Sequence, residues 1–561
     1  MVHTQGARRR RLAAIGLAGA VALSLSACGS ERGDGGNQGG GSGKVGGTMI
    51  FGAAGNPKNF DPIFNDDGES FRPIRQMYDT LVQNKPGTAE VAGALAEKWE
   101  SSNEGKTWKF TLRKNVKFHD GTPFNAAAVC FNFNRWFNMK GAAAQSQMIY
   151  YGDVFEGFAK NEGDATGEPV YKNCEAPDEG TAVLNLNKAK GAFPAAFTLP
   201  SLSMSSPDAL KKYDADKVVQ SGDSFTYGAY ATDHPTGTGP FKFQSYDRAK
   251  GEITMVRNED HWAKAKLDKI IFKIIPDENT RKQELRSGTI DAYDYPASAD
   301  YKTLKDSGLQ VLIRPSFNIL YLGINGKNTP ALRDLRVRQA LAYGVNREQL
   351  VKSQLPEGAE VAKQFVPKAI AGYSSQVQEY KYDPEKAKQL LKEAGAENLK
   401  LKFYYPTEVT RPYMPNPQEL FTVIADDLKK IGITIEPIAR PWNGGYKDDV
   451  QKAGKHDLHL LGWTGDYNDA GNFVGTFFGR AKAEFGYDNQ ELFNAIGKAD
   501  ATVGDEAHKK AYEAVNADLM SKYLPAIPVS NTTPGIAVSS KISGVVPSPL
   551  TDERFNTASK E

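Results

Sequence analysis

Residues 383–406 read DPEKAKQLLKEAGAENLKLKFYYP, and the reading of this stretch decides the fold class. Asp383 and Pro384 stand where a helix needs an N-cap and a first residue that forgoes no hydrogen bond. Ala387, Leu390, Leu391 and Ala394 then recur at helical spacing on one face, and Gly395 closes the helix. LKLKFYYP, 399–406, follows as a strand. The pattern repeats at once. Asn416-Pro417 caps a second helix with Leu420, Ile424, Leu428 and Ile431 inward and Gly432 at its end. ITIEPIA, 433–439, is the next strand, a short helix is expected near 444–453, and HDLHLLGW, 456–463, is a third strand. Upstream, DLRVRQALAYGVNREQLV, 334–351, sets Val337, Ala340, Leu341 and Gly344 on one helical face. Helices and strands in alternation make an α/β unit. Such sheets hold ligands in the crevice outside the carboxyl ends of their strands.

Two segments fall in that place. VTRPYMPN, 409–416, lies between a strand and the helix opening at Pro417, and GWTGDYND, 462–469, lies just past the strand ending near Leu461. If the two strands run the same way, Arg411 and Asp466 emerge at one edge. A guanidinium holds a carboxylate through two parallel hydrogen bonds, and an aspartate accepts from an ammonium. The pair therefore suits a ligand with a carboxylate at one end and an ammonium at the other, such as a short peptide. Asp469 reads as a turn or helix-cap acid.

Before residue 316 the pattern is richer in strands. GGTMIFGAA (46–54), TAVLNLNK (181–188), GTGPFKFQSYD (237–247), ITMVRN (253–258) and IIFKIIP (270–276) all read as strands. Trp108, Phe110 and Leu112 alternate, the turn His119–Pro123 follows, and Val129, Phe133 and Trp136 mark a helix. Residues 156–180 are polar and Gly-rich and read as a surface insertion.

The chain has 561 residues, too many for one core, and suggests two to four domains. Its net charge of +2, with no basic block after the N-terminus, gives nucleic-acid binding no electrostatic support. The N-terminus carries four arginines, Arg8 to Arg11, then an apolar run from Leu12 to Ala27, shorter than the ~20 residues of a membrane-spanning helix. This is the form of a secretory signal, residues 1–27. Its end, Leu25-Ser26-Ala27-Cys28, resembles the bacterial lipoprotein box, which implies lipidation at Cys28. Residues 28–47 then form the lipidated N-terminus and a Gly-rich tether. The other two cysteines, Cys130 and Cys174, are expected to form a disulfide in an exported protein, the alternative being two buried thiols.

The motifs identify the chain as similar to the extracellular solute-binding proteins of bacterial ABC importers, in the branch that binds peptides and nickel chelates. The residues that carry the resemblance are Gly46-Gly47-Thr48, NPKNFDP (56–62), LAEKWE, LRKNVKFHDGTPF (112–124), GTGPF (237–241), RVRQALAYGV (336–345), YDPEKAKQLLKEAG (382–395) and GWTGDYNDAGNF. RPYMPN and GWTGDYND are most similar to the dipeptide binders of that branch. The resemblance implies an α/β, two-lobed periplasmic-binding-protein-like fold of class II, the large three-subdomain type, with a hinge and a ligand cleft between lobes. Lobe one would be 48–315 plus 530–561, with an inserted subdomain at about 83–205, and lobe two 316–529. Hinge crossings would fall near 316–320 and 526–530. It also implies that Arg411 binds the C-terminal carboxylate of a peptide and Asp466 its ammonium. Tyr413 and Trp463 would wall the pocket, with Asp67 and Gly68 contributing from lobe one.

The expected protein is a monomeric lipoprotein on the outer side of the cell membrane, without cofactor. It would hand short peptides to an ABC permease with its ATPases. Another solute of the same family, such as haem, a nickel chelate or an oligosaccharide, is the alternative, and an anchored hydrolase a more distant one. Tyr467–Gly471 departs from the family's usual acidic, Pro-containing stretch, which bears on ligand length. No hydrolase or dinucleotide motif is present. Of seven histidines, His456 and His459 lie three apart on an expected strand and so should face opposite ways, which argues against a shared metal.

Overall fold

A computed structural model describes residues 45–561 except 164, 166 and 223, and the side chains of 443 and 444 are also outside the description. The signal segment, Cys28 and most of the tether therefore lie outside the described residues. No described helix is long and apolar enough to cross a membrane.

Three principal sheets organise the chain into two lobes. The first has seven strands in the order Phe241–Asp247, Glu252–Arg257, Lys269–Ile274, Thr48–Ala53, Ala292–Asp294, Gly535–Val538 and Gln310–Ile313. Four antiparallel strands, Ala96–Ser102, Thr107–Leu112, Thr181–Leu186 and Tyr171–Asp178, make a separate sheet within the same lobe. Trp108, Phe110 and Leu112 alternate inward there, as the period of two requires. The helix Ala126–Phe137 packs against this sheet, and its Cys130 is disulfide-bonded to Cys174 on the edge strand. Residues 156–180, read as an insertion, thus contain that edge strand. Its alternation is broken by two register shifts, and most of its side chains are exposed, so the sequence carries little strand signal.

The second lobe is built on six strands in the order Glu360–Val361, Ala526–Asn531, Asn318–Ile324, Leu458–Thr464, Lys400–Thr407 and Thr434–Pro441. Asn318–Ile324 is buried at every position, the mark of a strand covered on both faces. Helix Pro384–Glu393 is capped by Asp383, and Pro417–Lys430 by Asn416. Phe421 stacks on Tyr405 at 4.1 Å and meets Phe403 edge-on at 4.8 Å, docking the second helix on the sheet.

The expected single helix 334–351 is two, Leu335–Gly344 and Arg347–Gln354. Asn346 ends the first by capping the second, and its own N–H donates to Asp427. Gly344 packs so closely on Ile431 that a Cβ would sit 2.5 Å from its Cδ1. The expected short helix near 444–453 is a pair of π-helical turns, Trp442–Tyr446 and Asp448–Lys452.

The chain passes between the lobes' sheets at 314–317 and again at 532–534. These crossings are tied together: Asn318 Oδ1 accepts from the Thr532 N–H and hydroxyl, both at 3.0 Å, and Asn531 donates to the Asn318 carbonyl. Beside them Arg314, fully buried, pairs with Asp294 at 2.5 Å and Glu553 at 2.7 Å.

Candidate functional site

The strand Lys400–Thr407 runs parallel to Thr434–Pro441 along its length and parallel to Leu458–Thr464 through Phe403–Leu458 and Tyr404–His459. All three strands therefore end at one edge of the sheet. The register offset of 55 between Phe403 and Leu458 is also the separation of Arg411 from Asp466. Both residues thus leave the sheet the same distance beyond paired positions.

The loop carrying Arg411 is a tight turn. The Arg411 N–H donates to the Met414 carbonyl at 3.0 Å, and Met414 donates back at 2.9 Å. The Pro412 carbonyl accepts from Thr532 of the interlobe crossing at 2.5 Å, so the loop is fastened to the hinge. The half-buried Arg411 guanidinium lies over the Trp442 ring, 4.6 Å from its centroid, and forms no ion pair among the described residues. Trp442 follows directly after Pro441, which is in register with Thr407, so parallel pairing brings the ring under the guanidinium. A π face orients a cation through its quadrupole and leaves the N–H edge open.

Asp466 is half-buried. Its Oδ1 accepts from the Tyr150 hydroxyl at 2.6 Å and its Oδ2 from the Asn472 amide at 3.2 Å. The Asp466 N–H and the Trp463 indole both donate to Asn472 Oδ1, at 2.8 and 3.3 Å. Burial pushes the Asp466 carboxyl up to about 7, opposed by the two hydrogen bonds and by Arg75, and reinforced by Asp153. Asp469 caps the next helical turn through the Gly471 N–H and pairs with His508 at 2.6 Å.

Tyr413 is buried against Gly462, where a Cβ would sit 2.3 Å from its ring, so the RPY and GWT segments touch. Trp463 is half-buried and meets Phe477 edge-on at 6.0 Å. Asp67 is the N-cap of the helix Gly68–Met77. Its carboxylate accepts from the Glu69 and Ser70 N–H groups and the Ser70 hydroxyl, and Gly68 is that helix's exposed first residue.

The histidine expectation is corrected. His456 precedes the strand Leu458–Thr464, so alternation does not govern it, and its ring lies 4.4 Å from that of His459. Both are fully buried around Glu484, His456 on its carbonyl at 2.8 Å and His459 on its carboxylate at 3.2 Å. Burial and the neighbouring His459 drive the His456 ring down to about 2, so it is neutral. Among the described residues there is no group of three or more His, Cys, Asp or Glu side chains suited to a metal ion.

Sequence reasoning missed Tyr150, Asn472 and Trp442. Parallel register could have found Trp442, and Asn472 follows Asp466 by one short turn. Tyr150 sits in the helix Ile149–Phe155 of the other lobe, 316 residues from its partner, with no sequence signal linking them.

A family model described as bacterial extracellular solute-binding proteins, family 5 Middle, matches residues 90–485. The chain is 31% identical over 528 residues to a dipeptide-binding protein of Escherichia coli (strain K12), covering 92% of this chain and 95% of that one. It is 30% identical over 523 residues to heme-binding protein A of Haemophilus influenzae, covering 91% of each. The solved dipeptide binding protein from Pseudoalteromonas sp. SM9913 in complex with Met-Leu superposes with a TM-score of 0.73 at 25% identity, over 92% of this chain and all of the other.

Proposed function

The chain belongs to the bacterial extracellular solute-binding proteins of family 5, and on that premise we propose that it captures short peptides, dipeptides above all, for an ABC importer. Arg411 takes the ligand's carboxylate and Asp466 its ammonium, while Tyr413 and Trp463 shape the space between. The observation that carries this reading is the pair itself: opposite charges leave neighbouring parallel strands in register, and the guanidinium has no carboxylate of its own among the described residues. A zwitterion supplies both missing charges at once. The relative from Escherichia coli supports the same ligand class.

Capture would close the lobes, because the ligand is in contact with both only when they meet. The closed form would then dock on a permease driven by ATPase subunits, with the monomer held at the outer membrane face by lipid on Cys28. Labelling with a radioactive fatty acid, abolished by Cys28→Ala, tests the anchor.

A thermal-shift screen tests the ligand. Free dipeptides including Met-Leu should stabilise the protein, N-acetylated dipeptides and xylo-oligosaccharides should not, and Arg411→Ala should abolish the response. Hemin enters the same screen because one relative is a heme-binding protein. A shift with hemin and none with any dipeptide would replace the peptide reading.

A further inference from the structure

Asp466 belongs to the second lobe, yet the shortest hydrogen bond to its carboxylate comes from the first. Tyr150 is about nine-tenths buried, its ring packs 5.9 Å from Phe71 of the helix Gly68–Met77, and its hydroxyl has Asp466 Oδ1 as its hydrogen-bond partner. Burial and the adjacent Asp466 raise the phenol well above its usual range, so it remains a donor across the working pH. The opposite oxygen is steadied by Asn472, from Asp466's own loop. Each carboxylate oxygen has two acceptor positions, so one on each is left for a ligand.

We propose that Tyr150 is a positioning residue for ammonium recognition: delivered from lobe one, its hydroxyl aims the Asp466 carboxylate when the lobes meet. This rests on the reading of Asp466 as the ammonium acceptor. It goes beyond that reading by assigning half of the ammonium site to the opposite lobe. An acid aligned in part across the cleft holds a cation better in the closed state than in the open one. Closure and terminus recognition then become one event, since differential affinity is what drives such a change.

The other charged and titratable groups around Asp466 do not replace this contact. Arg75 faces it from the helix Gly68–Met77 but is committed to Asp552 at 3.2 Å and the Thr551 carbonyl at 2.7 Å. Asp153, one turn after Tyr150, adds like charge that favours protonation, and Tyr467 on the same loop is a neutral phenol. Tyr150 therefore supplies the lobe-one hydrogen bond that favours the charged form of the acid.

The test compares wild type, Tyr150→Phe and Tyr151→Phe, using Met-Leu titrations from pH 5 to 8.5. The same three proteins are then titrated by aspartate-selective carboxyl NMR, both free and saturated with Met-Leu, with Asp466→Asn to assign the signal. Tyr151 is the control, because its hydroxyl donates to the Gly157 carbonyl at 3.3 Å and not to Asp466. In Tyr150→Phe the dissociation constant at pH 7 should weaken about tenfold, as for loss of a hydrogen bond to a charged group. The Asp466 midpoint of the Met-Leu complex should also move upward, while that of the open, ligand-free protein stays in place and Tyr151→Phe alters neither. Equal affinity in Tyr150→Phe and wild type overturns the proposal. So does a loss of affinity with an unmoved Asp466 midpoint in the complex, which would reduce Tyr150 to packing. If wild type ignores Met-Leu at every pH while the ligand-free Asp466 midpoint shifts in Tyr150→Phe, the lobes meet and the acid is aligned without this ligand, so the contact stands and the peptide reading fails.

Discussion

Gly191 gives the sharpest handle on lobe closure. It lies on the loop after the strand Thr181–Leu186 of lobe one and presses against the junction of the helices Gln490–Asp500 and Asp505–Asp518 of lobe two. Its N–H donates to the Asp500 carbonyl at 2.9 Å, and Lys190 beside it pairs with the Asp500 carboxylate at 3.1 Å. A Cβ at 191 would lie 2.1 Å from the Thr502 carbonyl oxygen and 2.3 Å from His508 Nδ1. The residue's φ is not in the left-handed region, so Gly191→Ala carries no backbone strain and its whole cost is this overlap. Relief requires the lobes to part by on the order of 1 Å, given ordinary non-bonded contacts of about 3.5 Å. Overpacking of this kind costs about 1–3 kcal/mol. The stretched Gly191–Asp500 bond adds about 1 kcal/mol. At 1.4 kcal/mol per tenfold, a closed state weakened by about 2–4 kcal/mol binds ligand roughly 30- to 700-fold more weakly. The open protein escapes the clash, so its thermal midpoint without ligand should match wild type. Isothermal titration with Met-Leu reads the affinity, and small-angle scattering reads the contraction on binding. Gly497→Ala, in the helix Gln490–Asp500 with open space around its Cβ, is the control. Wild-type affinity together with wild-type contraction in Gly191→Ala would refute the claim that this contact belongs to the closed state.

The Asp466 carboxyl, at about 7 when folded against 3.8 as its reference, makes the ligand-free protein bind a proton more tightly than the unfolded chain does. Its contribution is therefore complete below about pH 4 and lost as pH rises to about 7, by roughly 4 kcal/mol at the limit and about 2 after discounting for partial exposure. Urea unfolding should show that slope flattened in Asp466→Asn. Replacing Cys130 and Cys174 together by serine opens a loop spanning 44 residues and should cost about 4 kcal/mol on the chain-entropy scale, read as a lower urea midpoint. Arg314→Leu strands the buried carboxylate of Glu553 and leaves Asp294 with Arg72 alone, and should cost about 3–5 kcal/mol, read as a lower urea midpoint.

How far the sequence was legible depended on the range of the interactions involved. The helices capped by Asp383 and Asn416 could be read because cap, apolar face and closing glycine are local signals. The break at Asn346 was hidden because a cap inside an apolar periodicity looks like one more polar residue until Asp427, 81 positions away, accepts its N–H. His456 and His459 were misplaced because alternation was extended two residues before the strand begins at Leu458. At the candidate site, Arg411 and Asp466 could be placed at one sheet edge on the condition that their strands run the same way, and the parallel pairing of the two strands meets it. Tyr150 could not be placed, since only the meeting of two lobes brings it to Asp466.

What separates these two charges from the many others in the molecule is the nature of their partners. Arg135 is saturated by Asp61 at 2.7 Å and Asp216 at 2.6 Å, and Arg314 by two buried carboxylates. A ligand charge arriving at either would first have to displace a resident one and leave it buried and unpaired, at a cost of several kcal/mol. Arg411 is instead held by an indole face, and Asp466 by a phenol and an amide. Neutral partners fix orientation without cancelling charge, so on the proposed reading a ligand carboxylate meets a guanidinium already aimed, and its ammonium an acid brought into aim as the lobes meet. The same arrangement costs the unliganded protein stability, most visibly in the proton that Asp466 retains up to about pH 7. That contrast with the saturated pairs elsewhere in the fold is what favours the proposed ligand-binding role over a structural one.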